Sequence, residues 1–300
     1  LGHLRQELSQ QIIAKQRVVF ESFVPSQNPS IHNDPVGFAA QYTSKNDIEV
    51  SAWVASVFAF GQVSVFLPLL DKMHNIWQSP HAYIKSGQFL KDPFWKSVRY
   101  RWYTGQDVIT LLNAMSKILN TYGSLGNHAK LIFDQSKDFE AFVLSYAADW
   151  RTFLHGPRVS RGVGFMVPDP MRRSTMKRLL LFIRWMVHDQ SPDFGLWTFV
   201  PKDQLWVALD THMTQFAKQF GWMTGSQLNL DTVKDVSHML SKVYPASPLA
   251  LDFVLTQMGI TRACKHVWHS EHCTPCKLKS ICTPLEKPKK PLQKYTKKQL

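Results

Sequence analysis

Four cysteines within nineteen residues, Cys264, Cys273, Cys276 and Cys282, constrain this chain of 300 residues more than any other feature. They are the only cysteines present, and they follow the spacing C-x8-C-x2-C-x5-C. Loops that short bring four thiolates around one compact centre, and a soft sulfur set takes zinc or an iron–sulfur cluster. Three readings stand side by side. Two disulfides need an oxidising compartment, for which nothing else in the sequence speaks. Zinc would find additional ligands in His266, His269 and His272 of the same segment. An iron–sulfur cluster rests on the spacing itself.

The formal charge is +13 at pH 7, and no acidic block offsets it. Six lysines against one acid, Glu286, lie between Thr283 and Leu300, and the body without them keeps about +8. A basic body attracts polyanions, and nucleic acid is the first candidate. Residues 283–300 have too little apolar content to fold alone and read as a disordered basic tail. The apolar fraction of 44% leaves ample chain for one large core or two modest ones. No run of eighteen apolar residues is present, so no membrane span is expected. With no secretory signal visible, the expectation is a monomer in the reducing cytoplasm, associated with the nucleoid.

Hydrophobic spacing points to helices almost throughout. Residues 1–24 read as an amphipathic helix with Leu4, Leu8, Ile12 and Phe20 on one side, and Pro25 to Pro35 as a linker. The apolar run from Val50 to Phe60 suits a buried helix. Helical patterns continue over Val63–Trp77, where Pro68 predicts a kink or boundary, and over Gln106–Tyr122 and Phe139–Phe153. Three more follow at Leu209–Phe220, Thr232–Val243 and Pro248–Gly259. Tyr100-Arg101-Trp102-Tyr103 mixes a cation with aromatics, and Gly156 to Arg173 is irregular, with three glycines, three prolines and four arginines. No alternating strand pattern appears, so the expected fold class is all-α.

Two positions are candidates for chemistry. Ser174 reads as the N-cap of a helix running to about His188, which puts Lys177 at its third position. Arg172, Arg173, Lys177 and Arg178 then crowd the positive end of that helix, against its dipole. A phosphate would make the cluster favourable, so Arg161, Arg172, Arg173, Ser174 and Arg178 are candidate DNA contacts. The same field favours the neutral amine at Lys177, which is a nucleophile; the bland alternative is one more phosphate contact or a solvated lysine. Asp210 caps a second helix, in which Met213, Phe216, Ala217 and Phe220 recur at helical spacing before Gly221 ends it. It follows Val207, Ala208 and Leu209, so its carboxylate is expected to be partly buried, whether as catalyst or as an ordinary cap. Lys265, Lys277 and Lys279 are further candidate phosphate contacts. Trp102, Tyr103 and Trp197, each near a turn signal, are candidates for an aromatic base pocket, with simple packing as the alternative.

Leu209-Asp210-Thr211-His212 resembles the V-D-T-H segment of the helix–hairpin–helix DNA glycosylase superfamily, and Lys177-Arg178-Leu179-Leu180 stands where bifunctional members carry a lysine. The cysteine spacing is similar to the C-x6-C-x2-C-x5-C loop of endonuclease III and the adenine glycosylases, with the first gap two residues longer. The 33 residues from Lys177 to Asp210 are closer to the archaeal 8-oxoguanine glycosylases, and the whole pattern over 34–282 most resembles a bacterial branch of the superfamily. The family hairpin L-P-G-V-G precedes its lysine helix directly; here Gly162-Val163-Gly164 stands thirteen residues before Lys177.

The resemblance implies two helical lobes with a cleft between them, endonuclease III-like, with a C-terminal iron–sulfur cluster loop. Residues 46–189 would form a helical barrel domain with the hairpin-like region, and 1–45 plus 190–282 a second lobe carrying the cluster. It implies Lys177 and Asp210 as catalytic residues and Cys264, Cys273, Cys276 and Cys282 as ligands of a 4Fe-4S cluster, with zinc the alternative. The implied activity is excision of a flipped, damaged base from double-stranded DNA, with AP lyase chemistry at Lys177. The alternative is a non-catalytic protein of the same fold that binds damaged DNA or RNA.

Overall fold

The computed structural model describes residues 8–27, 34–154 and 159–286. In chain order they form α1 (Gln10–Phe23), α2 (Val36–Ala39), α3 (Lys45–Phe58), α4 (Val63–Ile76), α5 (Pro80–Lys85) and α6 (Pro93–Ser97). A short antiparallel hairpin, β1 (Arg99–Tyr100) and β2 (Tyr103–Thr104), leads into α7 (Gly105–Tyr122), α8 (Leu125–Asp134), α9 (Phe139–Thr152) and α10 (Arg161–Met166). Then follow α11 (Lys177–Val187), α12 (Thr211–Gln219), α13 (Leu230–Val243), α14 (Pro248–Ile260) and α15 (Ser270–Cys273). With 63% helix against 2% strand the fold is all-α, as the missing strand alternation predicts. No helix among the described residues is long and apolar enough to cross a membrane. Leu4, 28–33, 156–158 and most of the basic tail lie outside the described residues.

The backbone divides into two compact units. One comprises Leu1–Gln27, Thr211–Thr224 and Met239–Leu300; the other comprises Asn28–Asp210 and Gly225–His238. These limits differ from the lobes read from sequence, because flanking segments join the larger unit. α2 packs on α3. Beyond α11 the chain folds back on it, with Phe194 N donating to Trp185 O and Trp197 N to Met186 O at 2.8 and 2.7 Å.

The larger unit is built on α3, whose residues from Asp47 to Phe58 are all buried. A helix apolar around its whole circumference has to be enclosed. Trp53 stacks on Trp150 of α9 at 4.7 Å and meets Phe182 of α11 edge-on at 5.0 Å. Two carboxylates of α3 hold neighbouring elements. Asp47 accepts from Ser79 Oγ and His81 N at the start of α5, at 2.8 and 2.9 Å. Glu49 accepts from Trp197 Nε1 and Gly126 N, at 2.8 and 2.9 Å, and burial pushes its carboxyl up from the usual range. At the far end of α11, Asp193 takes Arg184 Nε at 3.1 Å and His188 Nδ1 at 2.6 Å, all three buried. Pro68, read as a kink or boundary, sits inside α4 and does not end it.

In the smaller unit, α1 buries Ile13, Gln16, Phe20 and Phe23. The buried face is therefore not the stripe through Leu8 and Ile12; Ile12 is exposed. Hydropathy misses this face because a glutamine occupies its middle. Gln16 Nε2 donates to Phe220 O at 2.8 Å, and Gln16 Oε1 accepts from Trp222 Nε1 at 2.9 Å. Phe20 packs edge-on against Phe220 at 5.3 Å, and α12 packs against α14.

A Cβ at Gly126 would lie 2.3 Å from Glu49 Oε1 and 2.9 Å from Trp197 Nε1. Gly126→Ala therefore has to displace a buried carboxylate, and overpacking of that kind costs about 2 kcal/mol. A thermal melt of the variant should show its midpoint lowered by several degrees. An unchanged midpoint would mean that Glu49 does not hold α8 in this way.

Candidate functional site

The site begins at the C-terminal end of α3, where helical carbonyls lack intrahelical partners. Three side chains from distant parts of the sequence supply donors. Tyr103 Oη donates to Val57 O at 3.1 Å, Lys177 Nζ to Ala59 O at 2.8 Å, and the Tyr100 hydroxyl to Phe60 O. A lysine is well placed there, because the negative end of the helix dipole favours a cation. Around this end Phe60, Trp102 and Phe165, all half-buried, pack against one another at 4.9 to 5.6 Å. Arg178 lies 3.4 Å from the centroid of Phe165 and 5.1 Å from that of Phe60. The exposed Arg101 and Arg161 each lie 5.0 Å from the Trp102 ring. Cations over aromatic faces in this number make a surface suited to flat, negatively charged molecules.

α10 is held in register by Asp107. This residue completes a capping box with Thr104 at the start of α7 and also accepts from Ser160 Oγ. Gly162 lets the two helices meet, since a Cβ there would lie 2.4 Å from Asp107 Oδ2. The Gly162-Val163-Gly164 stretch is thus the first turn of a short helix packed on α7.

The expected cluster of cations at the start of α11 is dispersed. Ser174 is not the N-cap. Met176 holds that position with left-handed backbone (φ 47°) and no side-chain cap, so Lys177 is the first helical residue. Met176 is buried while Ser174 is exposed, and burial of the methionine fixes where the helix begins. Arg173 is ion-paired with Glu140 and Asp231 at 3.0 and 3.1 Å. Lys234, with Arg173, holds the Glu140 carboxyl below its usual range. Arg178 donates to Phe165 O at 2.8 Å and bonds the Tyr103 hydroxyl, and burial lowers its pKa. Arg172 is the most exposed of the four and is ion-paired with Asp169 at 3.7 Å. The charges find protein partners, so no phosphate is needed to explain them.

Two of the three pocket candidates are core residues. Trp197 is 1% exposed and serves Glu49. Tyr103 is equally buried, and burial raises its pKa. Trp102 remains at the half-buried edge, beside Phe60 and Phe165, which sequence reasoning missed. Asp210 is half-buried immediately before α12, after a lead-in of buried Val207, Ala208 and Leu209, as its apolar approach predicts. It belongs to the same unit as Lys177, at that unit's limit.

In the smaller unit the four cysteines are half-buried free thiols, none of them in a disulfide. Burial pushes Cys264 up, and Cys276 and Cys273 push it further. Cys282 is pushed up to about 12, first by burial and then by the other three. All four thiols lie on one short segment of the chain. Three of them accept N–H groups at 3.4 Å: Cys264 from His266 N, Cys273 from His269 N and Cys282 from Gln219 Nε2. Such donors steady thiolate ligands and tune a bound centre. Four sulfurs on one short segment are a donor set that either zinc or an iron–sulfur cluster takes. Lys265, Lys277 and Lys279 of this segment are exposed, and Lys279 lies 5.8 Å from the ring of half-exposed Trp268.

A family model described as "Protein of unknown function (DUF2400)" matches residues 34–261. The match includes Lys177 and Asp210 and ends just before Cys264. No curated protein and no solved structure matches the chain.

Elemental analysis tests the cysteine centre. The purified protein is expected to contain iron and acid-labile sulfide, and Cys276→Ala should lose both together with much of its soluble yield, since metal binding is coupled to folding. One zinc and no iron in the parent would replace the cluster with a zinc site.

Proposed function

This chain belongs to the family described as Protein of unknown function (DUF2400), and from its own residues we propose that it excises a damaged base from DNA. The observation that carries the reading is the company Lys177 keeps. Its amine meets α3 one residue before Phe60, and its neighbour Arg178 covers Phe165. Lys177, the nucleophile of this proposal, thus stands close to an aromatic set rimmed by Arg101 and Arg161. The finer assignments belong to the same proposal: an endonuclease III-like fold, a 4Fe-4S centre, a monomer and a nucleoid-associated location.

In this mechanism the Lys177 lone pair attacks the anomeric carbon of the flipped nucleotide. The bond from that carbon to the base breaks, and its electron pair leaves with the base, which takes up a proton. Asp210 stabilises the positive charge that develops on the sugar and accepts the proton lost by the amine. Opening of the sugar ring gives an iminium between Lys177 and the sugar. Loss of a proton from the adjacent carbon then expels the 3′ phosphate and cleaves the strand. Arg101 and Arg161 contribute attraction for the backbone.

One observation favours the non-catalytic alternative, a protein that binds damaged DNA or RNA. The Lys177 ammonium satisfies a helix-end carbonyl, which is a structural task in itself.

Borohydride trapping on a panel of lesion-bearing duplexes separates the two. Lys177→Gln should abolish trapping while binding persists. Asp210→Asn should bind as well as the parent and turn over about a hundredfold more slowly, the usual scale for one electrostatic contact in a transition state. Variants that process every lesion as the parent does would remove this assignment, and a parent that processes none would favour the binding protein. Affinity should also fall steeply with salt, with a log–log slope of roughly −5 if about six phosphates are neutralised. A flat response would remove the electrostatic case for DNA.

A further inference from the structure

The segment around Cys273 carries a second set of donors, which the cysteine centre does not use. Residues 269–273 close into α15, with His272 N and Cys273 N both donating to His269 O, at 3.1 and 2.8 Å. While the backbone wraps the Cys273 sulfur, His269, Glu271 and His272 bring their ligand atoms within 4.8 Å of one another. The two imidazole rings are 5.0 Å apart and inclined at 54°. No cysteine belongs to this group.

His269 Nδ1 is closed off from solvent and has no hydrogen-bond partner. The nearest carboxylate oxygen, Glu271 Oε2, is 4.0 Å away, too long for a hydrogen bond. A shielded ring nitrogen left unpaired is unfavourable, and a metal ion is one partner that an imidazole nitrogen takes. Glu271 is also the only acid between Cys264 and Cys282. It stands beside the two histidines, in a stretch otherwise rich in lysine.

We propose that His269, Glu271 and His272 form a second metal site, separate from the four cysteines, that takes a zinc-class divalent ion. Two imidazoles and one carboxylate are a donor set that zinc accepts with its fourth position open to water. Bonds of about 2.0–2.2 Å place such ligands roughly 3.3 Å apart. Side-chain rotation closes the remaining distance, since the Glu271 side chain is 83% exposed and that of His269 40% exposed. The site does not depend on the base-excision reading.

Tag-free full-length protein, with its cysteine centre as purified, is titrated with zinc against a chromophoric chelator. The parent should bind one equivalent more than the double variant His269→Ala/His272→Ala. Glu271→Gln should hold that equivalent about tenfold more weakly, or worse, since a lost ligand costs at least as much as a lost supporting contact. Equal uptake by the parent and both variants overturns the site. If the double variant loses its helical circular dichroism, Glu271→Gln decides alone: weaker zinc binding supports the site and unchanged binding overturns it. Cobalt gives an independent readout. The additional ion should show ligand-field bands without thiolate charge transfer, and charge transfer rising with that equivalent would place the ion on the cysteines and overturn the proposal.

Discussion

A carboxylate buried inside a helical core must be given donors, and Glu49 imposes that condition on the larger unit. Its donors come from Gly126, in the first turn of α8, and from Trp197, in the loop beyond α11. Two positions earlier, Asp47 does the same for the start of α5. α3 thus carries carboxylate acceptors among its buried residues, and each of them fixes the position of another element. The same logic reaches its C-terminal end, where backbone carbonyls replace carboxylates and the donors are Tyr103, Tyr100 and Lys177. The candidate site is where the enclosure of α3 ends.

Much of this was legible in the sequence. The run from Val50 to Phe60 announces a buried helix, and α7, α9, α13 and α14 lie close to where their apolar spacing places them. Clustering alone marks the cysteines. The short elements were not legible: α5, α6 and α10 are each six residues or fewer, too short for a helical period to show. Phe60 and Phe165 were missed for a different reason. They are more than a hundred residues apart, and only the folded chain brings both rings against Arg178. Trp197 misled because a turn signal beside an aromatic says nothing about a buried carboxylate waiting for its indole.

Polar residues in apolar positions form a second class that sequence patterns hide. Gln219 is buried in α12, and its amide divides its bonding, with Nε2 on Cys282 Sγ and His266 O and Oε1 on His266 Nδ1. Thr283 N also donates to its carbonyl at 2.9 Å. Gln219 therefore ties the cysteine segment to α12 through both its side chain and its backbone carbonyl. Gln16 plays a comparable part in α1. Both break the hydrophobic stripe of their helix, and both join it to another part of the smaller unit.

Arg173 and Met176 share an unusual property: both have left-handed backbone, three residues apart, and neither is glycine. Each such conformation costs about 1 kcal/mol. The side chains hold it in place, Arg173 through two acids and Met176 through burial. A glycine at either position would relax the backbone and remove the anchor in the same step. Losing the buried Met176 side chain costs about 2 kcal/mol or more, against about 1 kcal/mol of backbone relief, so at this position one side chain secures both the stability of the larger unit and the point from which the Lys177 amine is aimed.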